Sequence, residues 1–226
     1  MVDRSADAAS PPTGYHLLLP EDWVRIPLRQ DDAENTVRSL VNSAFERLPA
    51  GVPRDKLTLL RLELERRVLS AVAEARKGGA LEMYLPVKLA GEVNLGASFT
   101  LSQVRLPVPS EAVHGGPQRA ADPMGIVMQL LAGDRGAGDV AADLSSGEVD
   151  GAVAVRRERV VPADPERGVE AGTRRVEYLV AMPADPSQWL VVAFSTIGGG
   201  SPRDELADAM VEWFDALMTT FRWSWT

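Results

Sequence analysis

Apolar and polar positions alternate with a two-residue period along several stretches of this chain and with a helical period along three others. The clearest stretch is C-terminal. Val176, Tyr178, Val180 and Met182 are separated by Glu177, Leu179 and Ala181, the pattern of a strand. A Pro/Asp/Ser turn at 183–187 leads into residues 189–194, a continuous Val-rich apolar run that reads as a central strand buried on both faces. Gly198, Gly199 and Gly200 break it. Ser201 is then expected to cap a helix, with Pro202 at its first position and Asp204 and Glu205 where the helix dipole favours anions. Leu206, Met210, Trp213, Phe214, Leu217 and Phe221 form one apolar stripe along that helix.

Toward the N-terminus, residues 15–19 and 23–28 flank Pro20, Glu21 and Asp22 and read as a tight hairpin or as strand-turn-strand. Val37, Leu40, Val41, Ala44 and Leu48 predict a helix over 31–48, capped by Asp31 or Asp32 and stopped at 49–51. Pro53 opens a longer helix to Lys77, with Leu57, Leu60, Leu64, Val68, Ala71, Val72 and Ala75 as its buried face, ended by Gly78 and Gly79. Leu59, Leu62 and Leu69 widen its apolar arc, either to pack on a second element or to line a partner groove. Residues 81–89 and 93–101 alternate on either side of Gly91 and Glu92, predicting a hairpin of half-covered antiparallel strands. Pro86 there predicts an edge strand or a bulge. Residues 107–121 read as a Pro/Gly-rich loop, 122–131 as a short helix or strand, and 133–138 as a second loop. Weak and strong strands follow over 140–144 and 149–161. The expected class is α+β, a mostly antiparallel central sheet with long helices packed on it. One domain over 14–226 follows a disordered lead-in, 1–13, which carries no apolar pattern.

Composition narrows the function. At 226 residues, 45% hydrophobic and 25% charged, the chain has an ordinary soluble composition. Its net charge of -8 argues against nucleic-acid binding, which rests on phosphate neutralisation. The absence of cysteine excludes disulfides, thiolate metal sites and a Cys nucleophile, and fits the cytoplasm. No apolar stretch reaches the roughly 20 residues of a spanning helix. Abundant Ala, Arg, Val and Gly are associated with GC-rich bacterial genomes.

Candidate chemistry is sparse. His16 falls in an apolar strand and reads as structural. His114, in a Val-His-Gly-Gly loop, has the residue type of a general base or ligand but no partner at useful spacing. Neither HExxH nor GxSxG occurs, and the glycines at 198–200 lack the lysine of a phosphate loop. No catalytic, cofactor-binding or metal-binding set is predicted, and no cofactor. Asp204, Asp208, Glu212 and Asp215 recur every three or four residues and share one face of the last helix, either solvated or an acidic docking surface. Seven basic residues between 54 and 77 stand against four acidic ones. Trp223 and Trp225, in the tail, either pack back on the protein or enter an interface. Asp208, Glu212, Asp215, Trp223 and Trp225 are therefore the candidate partner-binding residues.

The opening Leu19-Pro20-Glu21-Asp22-Trp23-Val24-Arg25-Ile26 resembles the start of Mog1/PsbP-like proteins. The strand over 189–195 and the helix from 201 to Arg222 and Trp223 are similar to their ending. The resemblance covers the two chain ends and transfers no binding residue. It implies an α/β/α sandwich around an antiparallel sheet, and a binding, adaptor or chaperone role. The expected function is a non-catalytic cytoplasmic interaction, adaptor or chaperone-like protein of a larger bacterial machine. Its partner would be a protein, with self-association as an option. The alternative is a small-ligand-binding protein or enzyme with a pocket near the His114 loop.

Overall fold

The computed structural model describes residues 10–29, 32–46, 54–86, 96–106, 143–164 and 171–225. His114, the loops over 107–121 and 133–138, the 122–131 segment and the turn at Gly91 and Glu92 lie outside them. In chain order the elements are β1 (Gly14–His16), β2 (Trp23–Pro27), α1 (Ala33–Glu46), α2 (Arg54–Lys77), β3 (Ala80–Pro86) and β4 (Ala97–Arg105). They continue with β5 (Asp143–Val149), β6 (Ala152–Val161), β7 (Thr173–Met182), β8 (Asp185–Thr196), α3 (Glu205–Thr219) and β9 (Arg222–Ser224).

Among the described residues, seven strands form one sheet in the order β2-β3-β4-β8-β7-β6-β5, every neighbouring pair antiparallel. The protein is thus α+β with an antiparallel sheet. The Val-rich run lies where its pattern predicts, with β8 between β4 and β7. Register aligns Phe99 with Phe194 and Phe194 with Val176, so one face of the sheet is a continuous apolar surface. The stripe of α3 packs on it, burying Met210, Phe214 and Leu217 among Phe99, Val176, Val180, Val192 and Phe194. On the other face α1 and α2 cover the β2–β3 end, where Ile26, Val37, Val41, Val72 and Met83 form a second cluster.

Three local expectations are corrected. First, β1 and β2 are strand-turn-strand and not a hairpin. β1 pairs with β9, joining the two ends of the chain, whereas β2 pairs with β3. Tyr15 stacks on Phe221 at 5.7 Å, so the tail supplies its apolar cover. Second, the run over 149–161 is not one strand. Asp150 (φ 49°) and Gly151 (φ 77°) turn it back as a two-residue hairpin between β5 and β6, the backbone that an Asp-Gly pair adopts most readily. Third, the cap of α3 is Asp204 rather than Ser201. Its carboxylate accepts from the backbone N–H groups of Ala207 (2.8 Å) and Gly199 (2.8 Å), and these bonds hold its pKa below the usual carboxylate value. A Cβ on Gly198, at φ 59°, would lie 2.3 Å from that carboxylate, so only glycine fits there. Of the two alternatives for the strand of Pro86, the bulge is present, at Ala80/Glu82; β3 is not an edge strand, and Pro86 is its last residue.

Phe214 is fully buried, with Phe194 stacked at 4.8 Å and Phe99 and Tyr178 at 5.9 Å. Phe214→Ala is expected to cost about 3–5 kcal/mol. Urea denaturation checks this; a loss under 1 kcal/mol would mean that α3 is not seated on this face.

Candidate functional site

Beyond the end of α3, the segment from Pro11 to Leu19 crosses the same sheet face and leaves a groove of about 720 Å³ beneath it. The strands bring to its floor a set of side chains distant in sequence. Tyr84 and Arg25 are register partners on β3 and β2, and Glu82 lies two residues before Tyr84 on the same face. Tyr15 comes from β1, held there by its pairing with Trp223.

Glu82 is 8% exposed and is the hub. One of its oxygens accepts from the Arg25 guanidinium. The other accepts from the Tyr15 hydroxyl and, at 2.6 Å, from the Tyr84 hydroxyl. A buried carboxylate needs such compensation, because an unpaired one costs several kcal/mol. Burial pushes both tyrosines far above the ordinary phenol range, and the neighbouring Glu82 adds to it. Burial opposes the charge on Arg25, but its bond to Glu82 outweighs that and raises its pKa. The floor is therefore a closed set: one carboxylate, three donors, and hydroxyls that keep their protons at neutral pH.

The walls are mixed. Leu17, Leu19, Leu190 and Trp223 supply apolar surface; His16, Arg29, Gln103 and Gln188 supply polar groups. Gln103 donates to Gln188 across β4 and β8. The alternation of β3 reads Glu82 and Tyr84 as an outer polar face, so the pattern conceals this site; the sheet is covered on both sides there. His16, read as structural, lines the groove and is exposed.

The predicted partner-binding residues lie elsewhere. Asp215 accepts from Arg156 through two bonds of 2.9 Å and from the Tyr178 hydroxyl at 2.9 Å. Asp208 pairs with Arg174, which also donates to Glu158 at 2.6 Å. The acidic flank of α3 is thus stitched to arginines of β6 and β7, while Glu212 is exposed. Trp223 is buried in the main core, and its backbone N–H donates to Asp150 at 2.9 Å. The Trp225 indole donates to the Ser10 carbonyl at 3.1 Å, tying down a residue of the expected lead-in.

A second surface is exposed on α2. Val68, Leu69, Val72 and Ala75 pack on α1 and the sheet as the pattern predicts. Nearer the start of the helix, Leu59 is 70%, Leu60 58% and Leu62 57% exposed. Leu60, Leu64 and Ala71, which the spacing places inside, are exposed, and the residues of α2 that enter the core cluster come from its second half. Among the described residues no helix is long and apolar enough to cross a membrane.

The chain has three tyrosines, and Tyr15, Tyr84 and Tyr178 all hold their protons more tightly folded than unfolded. The stability that this gives is complete below the unfolded phenol pKa of about 10 and is lost as the pH rises further. Tyrosinate absorbance should therefore stay absent from the folded protein above that pH and grow only with loss of ellipticity. An ordinary phenol titration with the fold intact would contradict this.

No protein-family model and no curated protein matches the sequence. Among solved structures the chain is similar to cyanobacterial PsbP (CyanoP) from Synechocystis sp. PCC 6803, with a TM-score of 0.38 and 15% identity, over 93% of this chain and 86% of that one. It is also similar to LpqN, involved in cell envelope biogenesis of Mycobacterium tuberculosis, with a TM-score of 0.42 and 12% identity, over 97% of this chain and 87% of that one.

Proposed function

We propose that this chain is a non-catalytic accessory protein that docks a protein partner through the first half of α2. The exposed row Leu59, Leu60 and Leu62 carries this reading. Apolar surface costs about 25 cal/mol per Å² while it faces water, and a cluster of large leucines on a surface marks a place where something covers it. Charge selects the partner. Around the leucines, Arg61, Arg66 and Arg67 outnumber Glu63 and Glu65, in a chain of net charge -8. A segment with an apolar face and an acidic rim complements it. The closed floor of the groove supports the non-catalytic part: both Glu82 oxygens are taken, and the phenols stay protonated.

The test combines stability with crosslinking. Leu59→Gln with Leu62→Gln should change folding stability by no more than about 1 kcal/mol, as surface substitutions do. A photocrosslinker in place of Arg61 should give one discrete adduct with an acidic protein in the native host, lost in the double variant. A loss of more than about 3 kcal/mol would place the leucines in the core and sink the reading. An adduct between two copies, with concentration-dependent sedimentation, would replace the foreign partner by self-association.

A further inference from the structure

We propose that the groove beneath the Pro11–Leu19 segment is a ligand site for a small molecule with an apolar body and one anionic group. The site is separate from the α2 surface and stands without it. Its volume, about 720 Å³, lies within the range of small-molecule sites, which are apolar clefts with a few placed polar groups. Leu17, Leu19, Leu190 and Trp223 are the apolar walls, enough to remove a ring or short alkyl body from water.

The sign of the ligand follows from the partners already made. Besides the tyrosines, the ionisable residues of the lining among the described residues are His16, Arg25, Arg29 and Glu82. A cation entering the groove would need a carboxylate, and Glu82 has both oxygens occupied by three donors. An anion meets a different situation. Arg25 lines the groove, and although it is bound to Glu82 its side chain remains 60% exposed, so the guanidinium keeps N–H donors beyond the one given to Glu82. Arg29, two residues beyond the end of β2, is exposed and makes no ion pair among the described residues. The groove thus holds one guanidinium more than it holds carboxylates, within a chain that is acidic as a whole. Arginine pairs planar oxyanions through two parallel N–H donors, which suits a carboxylate and also a phosphate.

Matched probes test this by calorimetry on the full chain. 4-Phenylbutyrate should bind, 4-phenylbutanol about tenfold or more weakly, and 4-phenylbutylamine not measurably. Inorganic phosphate alone should bind far more weakly than the phenyl carboxylate, since it lacks the body. Phenylbutyl phosphate binding as well as or better than the carboxylate would assign the head to phosphate within the same class. Arg29→Gln should weaken phenylbutyrate by about tenfold, the loss typical of a charged hydrogen bond, and added salt should weaken it in the wild type. Equal binding of the amine and the carboxylate, or binding within twofold of wild type in Arg29→Gln, would overturn the proposal. So would the absence of binding by every phenyl probe. None of these outcomes bears on the α2 leucines.

Discussion

The aromatic stack that locks α3 to the middle of the sheet holds the rest of the molecule in place. Phe194 lies under Phe214 at 4.8 Å, Phe99 touches both, and Tyr84 stacks on Phe99 at 4.4 Å. Trp23 contacts Phe99 at 5.4 Å and stacks on Trp213 at 4.6 Å, extending the layer to strand β2. Such pairs add about 0.5–1.5 kcal/mol each beyond the area they bury. The stack joins β2, β3, β4, β8 and α3 in one rigid layer. Tyr84 gives the layer a chemical consequence, since its ring belongs to the core while its hydroxyl holds Glu82 at the groove floor.

The chain ends complete the design. Pairing of β1 with β9 brings Tyr15 from one end and Trp223 from the other to the same groove. The arginines of β6 and β7 grip α3 along its flank through Glu158, Asp208 and Asp215. Half-buried networks of this kind contribute little pair by pair. Removing one member strands the others, which fixes the lateral position of the helix. Among the described residues, two surfaces carry the proposed binding: the groove, with a guanidinium in excess, and the leucines of α2.

Sequence legibility followed burial. Where one face of an element meets the core, period and register agree, so β4, β7, β8 and α3 could be read with their inward residues. The reading fails where long-range pairing decides. Tyr15 has an apolar strand pattern whichever partner it takes, and nothing local says that the partner is 208 positions away at Trp223. Glu82 and Tyr84 look like an outward polar face because alternation cannot report that a second layer covers it. The leucines of α2 mislead in the opposite sense, since residues at core spacing stay outside when the element runs past what it packs on. Asp208 and Asp215 carry an acidic pattern, but the arginines that neutralise them come from strands whose register is not written locally.

Amide hydrogen exchange on β1 and β9 tests most directly the claim that the two chain ends close on each other to form one wall of the groove. Local opening free energies range from zero at fraying ends to the global value in packed strands. The amides around Tyr15 and Trp223 should exchange together and at least roughly a hundredfold more slowly than in unstructured chain. Exchange at the free-peptide rate in β1, with β8 still protected, would mean that the ends do not close and that the groove lacks its wall.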